Sequence, residues 1–200
     1  MKEIARLVLV LTVITAAAAL ILALVEGVTK APIAAQHRQE MLNAIKAVLP
    51  PVDNAPDTDS VSLPIGKNRK GQVVKRVFYR GLKGGALKGV AFQVVAPDGY
   101  GGPITIMVGV DPAGHVTGVE ILAANETPGL GNRIHQAWFR DQFVGKGLDN
   151  ADWRVKKDGG QFDQITGATI SPRAVVKALK KGLGYFHDHR SQIIAEGGQK

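Results

Sequence analysis

No cysteine occurs among the 200 residues. That absence removes a disulfide framework, a thiolate nucleophile and any Cys-ligated zinc or iron–sulfur centre. Electrons carried by such a chain need another cofactor. No glycine-rich dinucleotide fingerprint follows a strand, and no βαβ pattern is present. No carboxylate pair stands out for acid–base work, and Ser62, Ser171 and Ser191 lack a nucleophile-elbow context. The basic residues come without a zinc finger or an aromatic-rich RNA motif. A free-standing active site is therefore not expected.

What is present begins with charge. Lys and Arg number 25 against 17 Asp and Glu, a formal charge of +8. The first 26 residues hold two of each sign, so the remainder keeps the whole excess. The basic residues are scattered (Lys67, Arg69, Lys70, Lys75, Arg76, Arg80, Lys83, Lys88, then Lys177, Lys180 and Lys181). They read as a solvated basic surface facing lipid headgroups, with no nucleic-acid partner. An apolar share of 45% and a mean hydropathy of +0.03 indicate a folded chain.

Leu7 to Val25 is a run of nineteen residues without a charge, long enough to cross a bilayer core as a helix. A signal h-region spans about 7–15 residues and ends at small residues. Here Ala16 to Ala19 fall in mid-run, so an uncleaved anchor is expected. Lys2 and Arg6 precede it and place the N-terminus in the cytoplasm. The rest of the chain is then expected outside the cytoplasmic membrane.

Val28 to Leu49 reads as a further helical stretch, either an extension of the anchor or an element of its own. Ile33, His37, Met41, Ile45 and Val48 lie at helical spacing, and Pro50-Pro51 stops it. Pro51 to Asn68 reads as a linker. Four strand candidates follow, Gln72–Arg80, Leu87–Ala96, Ile104–Val110 and Val116–Leu122, separated by Gly/Pro turns that imply antiparallel hairpins. Ile134 to Phe143 is a short helix candidate. Pro172 to His187 is a clear one, with Val175, Val176, Leu179, Leu183 and Phe186 repeating at three or four. Strands first and helices after make an α+β fold. The expected divisions are 1–27 for the anchor, 28–70 for helix and linker, 71–194 for the folded domain and 195–200 for a frayed tail.

Two motifs could carry chemistry. In Thr166-Gly167-Ala168-Thr169-Ile170-Ser171-Pro172, a threonine hydroxyl sits beside the two smallest residues and just ahead of a helix. Ser171 reads as the N-cap and Pro172 as the first helical residue. A phosphate tied to Thr169 would lie near unpaired N–H groups at the positive end of a helix dipole. Glu126-Thr127-Pro128-Gly129-Leu130-Gly131 follows a strand and precedes a helix. It reads either as a plain connection or as a loop presenting backbone amides to a flat ring. His187 and His189, two apart on a helix, point about 200° apart and cannot share a metal on one face. Asp111 and His115 flank a turn and read as structural, so no metal site is expected.

The stretches GYGGPITIMVGVD (Gly99 to Asp111), ETPGLGNRI (Glu126 to Ile134) and DQITGATISPRAVVKAL (Asp163 to Leu179), behind one anchor, resemble the family of G subunits of Rnf complexes. Those complexes are membrane-bound ion-translocating ferredoxin–NAD oxidoreductases. The chain is more distantly similar to the C subunits of sodium-pumping NADH–quinone reductases. The resemblance implies an antiparallel-sheet FMN-binding domain with flanking helices, and FMN joined through a phosphoester to Thr169, the last residue of the Thr166–Thr169 motif. It implies a separate flavin transferase that makes the bond from FAD and recognises Asp163, Gly167 and Ala168. It makes Glu126, Thr127, Gly129, Leu130 and Gly131 candidate ring contacts. Relatives often carry a His two residues before that Glu; Ala124 stands there in this chain. The implied role is electron relay between other subunits in a bacterial inner membrane, without an active site of its own. A membrane-tethered flavin-binding assembly or regulatory module is the alternative.

Overall fold

The computed structural model describes residues 2–67 and 71–195. Residues 1–41 and residues 42–200 form two compact units. The elements run α1 (Lys2–Val48), β1 (Ser60–Lys67), β2 (Val73–Lys83), β3 (Ala86–Ala96), β4 (Ile104–Val110), β5 (Val116–Ala123), a 3-10 turn at Gly131–His135, α2 (Ala137–Asp141), a second 3-10 turn at Lys156–Asp158, α3 (Ile170–Asp188) and α4 (Arg190–Ala195). The fold is α+β.

The first unit is helical throughout its described residues. Its apolar side chains, among them Leu7, Leu11, Ile14, Leu20 and Leu24, stand exposed, as they do when the covering medium is lipid. The length and composition of α1 suffice to cross a membrane. Pro32 lies inside this one helix. A proline removes one amide donor, and here the helix continues through it to Val48. The stretch from Val28 thus continues the apolar helix and is not a separate element.

In the second unit the five strands form one antiparallel sheet in sequential order. Alternation sends Phe78, Val90, Phe92, Val94, Ile104, Ile106 and Val108 to the face that carries α3, all of them buried. The apolar stripe of α3 (Val175, Leu179, Leu183 and Phe186) is buried with them. Phe186 stacks on Phe92 with ring centroids 6.1 Å apart. Each such side chain contributes about 1.5–3 kcal/mol on burial.

The opposite face receives the end of α1. Ala44, Ile45, Val48 and Leu49 are buried. The backbone of Val48 lies so close to the sheet that a Cβ on Gly109 would stand 2.1 Å from its carbonyl oxygen. That same carbonyl accepts a 2.6 Å hydrogen bond from Thr117 Oγ1, which satisfies one of the carbonyls a helix end leaves open.

Three local expectations are corrected. The stretch read as a linker up to Asn68 contains β1, paired along β2 from Ser60↔Tyr79 to Lys67↔Val73; Asn68 itself lies outside the described residues. The helix expected over Ile134–Phe143 divides into a 3-10 turn and α2, because Gln136 takes an extended conformation between them (φ −72, ψ 143). And α3 begins at Ile170, before the expected Pro172. Of the expected frayed tail, Ala195 ends α4 and 196–200 lie outside the described residues.

Candidate functional site

Two tight turns frame the site. In Thr127-Pro128-Gly129-Leu130 the Leu130 amide donates to the Thr127 carbonyl at 3.1 Å, with Gly129 at φ +74. In Ile165-Thr166-Gly167-Ala168 the Ala168 amide donates to Ile165 at 3.0 Å, with Gly167 at φ +80. Each has a positive-φ glycine at its third position, the signature of a type II turn, and the first adds proline at the second.

Immediately after the second turn stands Thr169. Its backbone is already helical (φ −72, ψ −23), and its carbonyl accepts the Arg173 amide at 3.1 Å. Its hydroxyl caps nothing. The amides of Ile170 and Ser171 have no intrahelical acceptor and Pro172 brings no N–H, so the positive end of the α3 dipole lies beside Thr169. The expectation that Ser171 is the N-cap is overturned. Ser171 lies within the first turn, and its hydroxyl donates instead to Glu126 Oε2 at 2.6 Å.

Both carboxylate oxygens of Glu126 are thus engaged by the chain itself. The residue is 6% exposed, and Oε1 accepts the Gly101 amide at 3.3 Å. Gly131 makes room for this arrangement: a Cβ there would lie 2.5 Å from Glu126 Oε2 and 2.7 Å from Ser171 Oγ.

A cavity of about 260 Å³ opens between the two motifs. It gathers Glu126, Thr127, Leu130 and Gly131 from the first, and Gly167, Ala168 and Thr169 from the second. Tyr100, Ile170 and Ser171 also line it and were not among the expected site residues. Tyr100 belongs to the GYGGP stretch, which offered the only signal for it. Gly129 and Thr166 shape the turns without lining the cavity. Asp163 lies elsewhere, ion-paired with Lys156 Nζ at 2.7 Å and donating its amide to Gln142 Oε1 at 2.7 Å. Below the first turn of α3, Arg173 grips Asp158 through two 2.7 Å hydrogen bonds. That guanidinium holds the Asp158 carboxyl below the usual carboxylate range.

The donor set suits a phosphorylated flat ring. Amides without an intrahelical acceptor at a helix start can receive a phosphate. Tyr100, Leu130 and Ile170 expose apolar surface at 69%, 44% and 46%, available to cover a ring. A wider groove of about 750 Å³ beside Arg76 and Tyr185 contains no residue of either motif and is lined by no serine or threonine. His187 pairs with Asp188 while His189 stacks on Tyr185, and no metal-ligating cluster exists among the described residues.

Residues 99–184 match the FMN-binding domain family. The chain is 39% identical over 191 residues to the G subunit of the ion-translocating oxidoreductase complex of Aliivibrio fischeri, covering 92% of this chain and 91% of that one. It is 43% identical over 183 residues to the protein of the same name from Pseudomonas aeruginosa, covering 88% and 85%. Among solved structures, the C subunit of the Na(+)-translocating NADH-quinone reductase of Parabacteroides distasonis superimposes with a TM-score of 0.52 at 20% identity, over 72% of this chain and 79% of that one. NqrC of Shewanella oneidensis gives 0.51 at 21%, over 76% and 73%. These two share the fold; the Aliivibrio and Pseudomonas sequences share identity along nearly the whole length. The chain belongs to the family of G subunits of ion-translocating oxidoreductase complexes.

Proposed function

We propose that this chain is the electron-relay flavoprotein subunit of an Rnf-type membrane oxidoreductase and carries FMN covalently on Thr169. The observation that carries this reading is the Thr169 side chain: an unengaged hydroxyl on the wall of the cavity, at the amino end of α3. In maturation the Thr169 Oγ attacks the riboflavin-side phosphorus of FAD, held by a flavin transferase. The pyrophosphate bond breaks, AMP leaves and the hydroxyl proton is released.

When bound, FMN supplies the redox chemistry of the relay. The chain's own groups do the rest. The Ile170 and Ser171 amides and the α3 dipole stabilise the phosphate charge. Leu130, Ile170 and Tyr100 exclude water from one side of the ring. Asp163, Gly167 and Ala168, with Thr166, present the acceptor to the transferase. Lys2 and Arg6 keep the N-terminus cytoplasmic, α1 crosses the inner membrane, and the sheet domain works on the periplasmic side beside the other subunits of the complex.

Intact-mass measurement of protein purified from its host membrane tests this reading. One FMN mass is expected, mapped to the peptide containing Thr169 and lost in Thr169→Ala. Polypeptide mass alone overturns it. A Thr169→Ala strain that assembles the complex and keeps its electron flux establishes the assembly-module alternative.

A further inference from the structure

The environment of Glu126 is unusual for a carboxylate. It is almost fully buried, and no Lys or Arg ion pair to it is present among the described residues. Its oxygens are taken instead by a hydroxyl and an amide of the chain itself. A buried charge without a counter-ion costs stability that hydrogen bonds only partly offset. If packing were the only requirement, an apolar residue of similar volume would do better there. What the carboxylate gains is a junction. The loop after β3 reaches it through Gly101, the segment after β5 supplies it, and the first turn of α3 reaches it through Ser171, 45 residues away in sequence.

We propose that Glu126 is the positioning residue of this site: its carboxylate locks Ser171, and with it the first turn of α3, so that the Thr169 hydroxyl is held at one place against the Thr127–Leu130 turn. The proposal rests on Thr169 being the flavin acceptor. It assigns Glu126, on the cavity wall, the role of holding the first turn of α3 in place. Group transfer to a hydroxyl depends steeply on where that hydroxyl sits, so a loosened helix start slows phosphoester formation without removing any transferase contact.

The test uses the full-length chain in nanodiscs with purified flavin transferase and FAD. Three quantities are followed: the rate of FMN mass gain, hydrogen–deuterium exchange over residues 165–173 of the unmodified protein, and thermal melting by circular dichroism. Glu126→Ala is expected to lower the maximal rate about tenfold, the loss of a charge-assisted buried bond. The protein concentration giving half-maximal rate stays unchanged, and exchange across 165–173 accelerates. Ser171→Ala shifts both in the same direction by a smaller factor. Glu126→Gln stays within about threefold of the parent, because its amide oxygen accepts from Gly101 while its NH2 donates to Ser171 Oγ.

Parental rates and exchange in both alanine variants overturn the proposal. So does a Gln variant as slow as Ala, since charge and not bonding geometry would then be what matters. If Glu126→Ala fails to fold, Ser171→Ala decides alone. If the parent chain acquires no FMN, the functional reading fails separately, and exchange in Ser171→Ala still decides: acceleration supports the lock, parental protection overturns it.

Discussion

Gly109 and Gly129 are both required to be glycine, for opposite reasons. At Gly109 the constraint is space. A Cβ would meet the Val48 carbonyl oxygen at 2.1 Å and Thr117 Oγ1 at 2.6 Å, and its neighbour Gly118 meets Val48 Cα at 2.8 Å. Another backbone lies on the strand, so no rotamer relieves the clash. At Gly129 nothing stands within 4 Å of a Cβ; the constraint is a φ of +74, which L-residues reach only at a cost. The seat of α1 on the sheet is thus specified by volume and the site turn by dihedral angle. A volume violation must displace a helix end, whereas a dihedral violation strains a loop.

The largest effect that could break this comparison is at the seat. Gly109→Ala should cost about 3 kcal/mol, the upper end of overpacking, and lower the melting temperature by about 6–12 °C. Melting indistinguishable from the parent would show that the helix end is not tightly seated. Gly131→Ala is expected to cost about 1–3 kcal/mol and to reduce FMN incorporation sharply in an intact-mass assay, because the new methyl parts Glu126 from Ser171. Full incorporation there would count against the close packing at the site.

Gly129→Ala should cost only about 1–2 kcal/mol and be partly rescued in Gly129→Asn, since asparagine tolerates the left-handed region. A matching Asn rescue at position 109 would erase the distinction between the two glycines. Acid gives the smallest effect. Asp158 titrates below the usual carboxylate range because Arg173 bonds its ionised form. Its contribution is present above the unfolded value, about pH 3.9, and disappears as pH falls through the lower folded one. The pair is exposed and screened by salt. Hydrogen exchange in 156–173 should therefore rise slightly below about pH 4, while the seat, held by the Val48–Gly109 approach and the Thr117 hydroxyl bond, stays protected.

The legible parts of the fold were those coded by near neighbours. Strands β2 to β5 announce themselves by alternation between Gly/Pro turns, and α3 by its repeat at three and four. β1 was missed although Val61, Leu63 and Ile65 alternate, because Pro64 interrupts the run and a Pro- and Asp-rich stretch precedes it. As an edge strand paired only with β2, β1 can accommodate a proline. At the site, Thr169 was legible as a hydroxyl beside small residues at a helix start. Ser171 was misread, since a serine there usually caps the helix and its actual partner lies in a distant loop.

The order of residues alone determined the membrane-length run of α1, the amphipathic α3, the hairpins and the two glycine turns, because each depends on atoms a few residues apart. Only the tertiary structure decided that Val48 would rest on Gly109, that β1 would complete the sheet, and that Glu126 would accept a hydrogen bond from Ser171. Such contacts depend on which backbones approach one another in space, and no local spacing encodes that approach.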